Sequence, residues 1–188
     1  VNGSRVRLIG DVYNSGDLDF PEDAVLENNI LNTPDGLMRV WANVDGQGNS
    51  VLNEGRMEIG HDSDSSGNLF NVSELRNSKE IDIAEGTSLE AVQINNNAGG
   101  EIVVAGDMTG AVANAADASI ALRGGKITGD VANTGLLDGR GTVTGTVQNN
   151  TGTVRVDGTM TIGTLANRNI LQVTDGSRLV SGNAVSNA

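Results

Sequence analysis

The chain has 188 residues, no cysteine, two prolines and one Trp, one Tyr and two Phe as its aromatic residues, and its net charge is −12. The missing cysteines exclude disulfides, thiolate metal sites and a cysteine nucleophile. An acidic chain without clustered cations is a poor partner for nucleic acid, and no apolar run approaches the roughly 20 residues of a membrane helix, so we expect neither nucleic-acid binding nor membrane insertion.

The first predicted elements lie in an acidic half of the chain. Polar and apolar residues alternate from Ser4 to Tyr13, which predicts a strand. Residues 1–96 hold 17 Asp and Glu against 6 Lys and Arg, a net charge of −11, whereas residues 97–188 hold 7 against 6, a net charge of −1. We interpret 1–188 as one domain, in which 1–96 is the irregular, loop-bearing half and 97–188 holds regular repeats.

The sharpest local motif follows His61, the only histidine. Oxygen-bearing side chains alternate there, then a glycine permits a sharp turn, as in the first half of a calcium-binding loop. The glutamate that closes such a loop would have to stand at Ser73, so two interpretations stay open, a calcium site and a solvated acidic loop. The candidate ligands are Asp62, Asp64, Ser66 and Asn68, and calcium is the one cofactor that the sequence suggests.

An asparagine recurs along the chain at intervals of 17 to 24 residues, and short aliphatic segments repeat in phase with it. Examples of these segments are Ile102-Val103-Val104 and Val154-Arg155-Val156, and their alternation predicts half-buried strands of 3–5 residues. Asn and Gly tolerate left-handed backbone and therefore suit corners. We predict that the asparagines stack as a ladder of side-chain amides, formed by Asn14, Asn32, Asn53, Asn77, Asn97, Asn114, Asn133, Asn150 and Asn167.

Short strands without any helical segment between them disfavour a fold with crossover helices. The pattern instead predicts an all-β fold, a parallel β-helix or β-solenoid of about nine rungs of 17–24 residues. At about 4.8 Å per rung, this body would be on the order of 40 Å long.

The segment GRGTVTGTVQNNTGTVRVDGTMTIG resembles the repeats of secreted bacterial β-helix proteins, namely autotransporter passenger domains and haemagglutinin-like adhesins. The resemblance covers residues 97–188. It implies a right-handed coil, an extracellular or cell-surface location, and a role as an adhesin or a structural fibre.

Three functions remain open at this point. Both ends of the chain look like strands, at Ser4 to Tyr13 and at Leu179 to Ala188, and exposed strand edges add further strands. We therefore expect a non-enzymatic extracellular structural protein, a β-solenoid that assembles head to tail with copies of itself into a filament. The alternatives are an adhesin passenger or stalk that binds a glycan or host protein, and a polysaccharide-active β-helix enzyme. The enzyme would need paired carboxylates, and its candidates are Asp82, Glu101, Asp107, Asp130, Asp138 and Asp157.

Overall fold

The computed structural model describes residues 5–60, 67–183 and 185–187. Within those ranges the chain forms strands and turns and contains no helix, hence none that is long and apolar enough to cross a membrane. The strands are β1 (Val6–Leu8), β2 (Val12–Asn14), β3 (Asp17–Phe20), β4 (Ala24–Leu26), β5 (Ile30–Asn32), β6 (Leu37–Val40), β7 (Val44–Asn53), β8 (Arg56–Ile59), β9 (Leu69–Asn77), β10 (Glu80–Ile83), β11 (Ser88–Asn96), β12 (Glu101–Val104), β13 (Asp107–Asn114), β14 (Ser119–Thr128), β15 (Val131–Asn133), β16 (Leu136–Asn149), β17 (Thr153–Asn167), β18 (Ile170–Val173), β19 (Arg178–Ser181) and β20 (Val185–Asn187).

These strands wind into a parallel β-solenoid of about nine coils, in which one coil is one lap of the chain, as the sequence predicts. Each coil lays strand segments on three faces. Face 1 begins with β1, on which β4 lies; face 2 begins with β2, on which β5 lies; face 3 begins with β3, on which β6 lies. All these pairings are parallel, because each lap runs in the same direction as the lap before it.

Many strands are longer than the predicted 3–5 residues, because they continue around corners from one face to the next. Strands β7, β9, β11 and β13 run along face 1 and then face 2, and the 14-residue β16 and 15-residue β17 follow all three faces. The pairing of β16 with β17 shifts register between Gly139 and Gly141 and between Val143 and Thr146, which are the places where the chain bends.

The core is a thin column of aliphatic side chains that lie on one another from coil to coil. On face 3 the inward row is fully buried from the second coil to the eighth. It consists of Met38, Met57, Ile81, Ile102, Ile120, Leu137 and Val154. Large rings are few, and Phe20 and Phe70 are the two that are buried in it. Period-two alternation puts every second residue in this interior, which is why short aliphatic segments suffice to build it.

Candidate functional site: the asparagine ladder and the open ends

A row of asparagines marks the last residue of the face 2 segment in every coil. Each Nδ2 donates a hydrogen bond to the Oδ1 of the asparagine in the next coil, over distances between 2.6 and 2.9 Å. All of these bonds point the same way, with the donor in the coil nearer the N-terminus. The row consists of Asn14, Asn32, Asn53, Asn77, Asn96, Asn114, Asn133, Asn149, Asn167 and Asn187.

The same amides also donate hydrogen bonds to backbone carbonyls at the corner that leads to face 3. The Nδ2 of Asn32 donates to the carbonyl of Arg56 at 2.9 Å, and that of Asn149 donates to the carbonyl of Ile170 at 3.1 Å. The ladder asparagines between Asn32 and Asn167 are at most 1% exposed. Buried amides with all their donors and acceptors in use stabilise a fold and specify one arrangement of it.

The structure places seven of the nine predicted asparagines in this row and replaces the other two by their neighbours. The prediction of Asn97 and Asn150 was wrong, because Asn96 and Asn149 occupy the ladder instead. The side chain of Asn97 reaches only the hydroxyl of Ser78, at 3.3 Å. The row also includes Asn187, which the prediction missed.

One sequence signal separates ladder asparagines from their neighbours. Each ladder asparagine stands two residues after an inward aliphatic residue, as in Ile94-Asn95-Asn96 and Val147-Gln148-Asn149. Since side chains alternate along a strand, the asparagine two places on must point inward as well. The pattern aliphatic-x-Asn selects Asn96 and Asn149 over their neighbours and includes Val185-Ser186-Asn187. It also occurs at Leu26-Glu27-Asn28 and Leu69-Phe70-Asn71, which do not recur in phase with the ladder.

The expected role of left-handed backbone at the asparagine corners was also wrong. Among the described residues other than glycine, only Asp117 has a positive φ, of 60°. The ladder asparagines end strands and keep ordinary backbone, so amide stacking rather than left-handed conformation accounts for their recurrence.

The predicted calcium ligands Asp62, Asp64 and Ser66 lie outside the described residues. Of the four candidates, only Asn68 is described, and its Nδ2 donates to the carbonyl of Trp41 at 2.6 Å. Across the described part of the chain, no three His, Cys, Asp or Glu side chains come together so that they could hold a metal ion. Calcium binding therefore stays a prediction of the sequence.

Several carboxylates of face 3 are engaged in ion pairs with outward-pointing arginines. The guanidinium of Arg155 binds Asp138 through two hydrogen bonds of 2.7 and 2.9 Å, and this holds the pKa of the Asp138 carboxyl below its usual range. Arg39 similarly lies 2.9 Å from Asp19 and 3.8 Å from Glu58. Of the six carboxylates that the sequence suggests for a polysaccharide-active enzyme, Asp138 is thus unsuited to the role of general acid, because its arginine partner favours the ionised form.

The first and last coils expose apolar side chains that the other coils bury or lack. Of the seven large exposed apolar residues in the described ranges, only Val92 lies in the middle of the solenoid. The others are Val6, Ile9 and Tyr13 in the first coil and Ile170, Val173 and Val185 at the other end. Both ends therefore combine apolar surface with strand edges.

The two ends also present backbone groups that point away from the coil. Val12 donates to the carbonyl of Asn29, and Asn14 accepts from Thr33, so both point toward the second coil. Neighbouring residues of a strand in a parallel sheet bond to opposite sides, hence the N–H and C=O of Tyr13 face outward from the end.

Comparison of this chain with protein-family models, with curated proteins and with solved structures gave no match.

Proposed function

We propose that this chain is a non-enzymatic structural protein of the cell surface or extracellular space, which assembles end to end with copies of itself into a filament. The supporting observation is that, among the described residues, exposed apolar side chains concentrate in the first and last coils, where strand edges are open. Open edges of this kind add further strands, and a head-to-tail contact that does not close generates a fibre.

The direction of the asparagine ladder supports stacking in one orientation. In the last coil Asn187 accepts from Asn167, and its own Nδ2 has no acceptor among the described residues. In the first coil the Oδ1 of Asn14 accepts only a long hydrogen bond of 3.3 Å, from the N–H of Gly16. The ladder of the described coils thus has one direction, from donor to acceptor, and head-to-tail stacking of copies in the same orientation would continue it.

A second candidate function is an adhesin passenger or stalk that binds a glycan or host protein. It is favoured by a shallow groove of about 430 Å³ beside Val92, which is 77% exposed in the middle of the solenoid. Asn71, Ser73 and Glu90 line this groove and offer polar groups to a ligand. This function predicts a monomeric rod.

Negative-stain microscopy and sedimentation of the purified chain test the filament, with and without calcium. We expect unbranched filaments that lengthen with protein concentration. Tyr13→Pro removes an outward N–H from the first coil and should leave short particles, whereas Tyr13→Ala removes the side chain, keeps the N–H and should still elongate. Dispersed rods at high concentration, or equal filaments from Tyr13→Pro, would contradict the proposal.

A further inference from the structure

The corner between face 2 and face 3 changes in length from coil to coil in the middle of the solenoid. It takes four residues in the sixth coil, 115–118, only two in the seventh, Thr134 and Gly135, and three in the eighth, 150–152. The short corner of the seventh coil therefore forms the floor of a groove between two longer corners. The groove has a volume of about 400 Å³, and at about 4.8 Å per coil its two walls lie about 9.6 Å apart.

The side chains that line this groove carry one carboxylate, several hydroxyls and one half-buried apolar group. They belong to Asp117, Ser119, Thr134, Thr151, Thr153 and Leu136. The hydroxyl of Thr134 donates to the carbonyl of Asn114 at 3.0 Å. Within the described ranges, the other polar side chains of the groove form no hydrogen bond or ion pair, so their groups are available to a ligand.

Asp117 holds a backbone conformation that the neighbouring coil gives to a glycine. Its φ is 60°, and the turn of residues 115–118 is closed by a backbone hydrogen bond of 3.2 Å. One coil earlier, the turn of residues 97–100 is closed by a bond of 2.9 Å and has Gly99, with a φ of 80°, at the same place. Left-handed backbone is unfavourable for a residue with a Cβ, and such strain concentrates at functional sites. The turn thus requires a left-handed residue, whereas the carboxylate calls for another explanation.

The mixture of groups in the groove distinguishes between classes of ligand. A carboxylate only accepts hydrogen bonds, whereas a Ser or Thr hydroxyl both donates and accepts. A compound with neighbouring hydroxyls matches both, because it can donate to the carboxylate and accept from the protein hydroxyls. Calcium takes about six to eight oxygen ligands, usually several carboxylates among them, and the groove offers one.

We propose that the groove beside Asp117 binds one pyranose unit of a neutral glycan. Two neighbouring hydroxyls of the sugar donate to the Asp117 carboxylate, the hydroxyls of Ser119 and Thr153 complete the polar contacts, and the C–H groups of the ring lie on Leu136. The site lies within the sixth to eighth coils of a single chain. It deepens the second candidate function, on which its biological role rests, whereas the binding itself does not depend on whether the chain forms filaments.

Saturation-transfer NMR tests this binding, because it observes the ligand and works for single chains and filaments alike. The probes are the methyl glycosides of glucose, galactose and mannose. We expect saturable binding of at least one of them with a Kd of about 10 mM or below. The 3-deoxy analogue of each glycoside is the control, since removal of the hydroxyl on C3 leaves no two hydroxyls on neighbouring carbons, and it should bind at least about tenfold more weakly.

Substitutions of Asp117 separate its role in binding from its place in the turn. Asp117→Gly should weaken binding at least about tenfold, because two hydrogen bonds to a charged group are lost. It should not lower the urea midpoint, since glycine adopts the left-handed conformation without strain. Asp35 occupies the same place in the turn of residues 33–36, four coils away, and Asp35→Gly should change binding less than about twofold.

A second pair of variants makes one substitution on two faces of β17. Thr153→Val removes a hydroxyl from the groove and should weaken binding about fivefold, whereas Thr161→Val changes an equally half-buried threonine on face 1 and should leave it unchanged. The proposal would be overturned if none of the three glycosides binds, if the 3-deoxy analogues bind equally well, or if Asp117→Gly binds like the wild type. A fall of the urea midpoint in Asp117→Gly would overturn it as well, because the turn itself would then require the aspartate.

Discussion

Two adjacent asparagines provide the most direct test of the ladder. Asn149 accepts a hydrogen bond from Asn133 at 2.8 Å. It donates to Asn167 at 2.6 Å and to the carbonyls of Gly152 and Ile170, both at 3.1 Å. Asn150 is exposed, and its Oδ1 accepts one bond of 3.3 Å from Arg168. The same substitution at these two positions should therefore have very different costs.

Asn149→Ala removes an acceptor oxygen and two N–H donors, which share three acceptors. Each of these three groups contributes about 1 kcal/mol, so the free energy of unfolding should fall by about 3 kcal/mol. Asn150→Ala should change it by less than about 0.5 kcal/mol, as is usual for exposed positions. Urea unfolding would be followed both by circular dichroism and by the fluorescence of Trp41, because coils of a solenoid can unfold separately and agreement of the two probes is needed. Equal losses for the two variants, or a larger loss for Asn150→Ala, would refute the ladder as the source of stability.

The remaining predictions concern other parts of the solenoid. The ion pair with Arg155 lowers the pKa of Asp138, so this carboxylate stabilises the fold above its unfolded pKa and loses that contribution as the pH falls through its folded pKa. Asp138→Asn should therefore reduce the loss of unfolding free energy that is measured between about pH 6 and about pH 3. Gly129 has a φ of +140°, and a Cβ there would lie 2.0 Å from the carbonyl oxygen of the coil below, so Gly129→Ala should cost at least about 3 kcal/mol in urea unfolding. Gly124→Ala, at a φ of +101° with nothing within 4 Å, should cost about 1 kcal/mol. Millimolar calcium should raise the melting temperature, and a double Asp62→Ala, Asp64→Ala variant should lose this response; an unchanged response would remove the calcium site.

The fold could be predicted because its signal repeats. A single aliphatic-x-aliphatic segment is ambiguous, but its recurrence with the asparagines allows only a coil of stacked laps. The exact ladder positions were harder to predict, because asparagines stand side by side at 95–97 and 149–150. The interval between successive corners does not distinguish these neighbours. The phase relative to the preceding aliphatic residue decides, since it fixes which side chain points inward.

The assignment of segments to faces could not be predicted in the same way. The sequence pattern gives the period of the coil without showing on which face a segment lies or where a strand continues around a corner. The pairing shows that β13 covers faces 1 and 2, whereas β14 covers faces 3 and 1. The repeat alone does not give this three-dimensional register.

A buried row of amides at first looks less favourable than a row of aliphatic side chains, but it restricts the register of the coils far more strictly. A one-residue slip on face 2 would turn Val147 and Asn149 outward, bury Gln148 and leave the buried amides of Asn133 and Asn167 without their partner. An all-aliphatic row would lose contacts in such a slip but would leave no hydrogen-bonding group buried without a partner. Each such buried group costs about 1–3 kcal/mol. The same requirement holds at the open end in the filament we propose: a strand that offers no acceptor to the amide of Asn187 buries it unpaired, whereas a second copy in register presents Asn14. The ladder that aligns the coils within one chain would therefore also distinguish a correctly placed copy from other exposed strands.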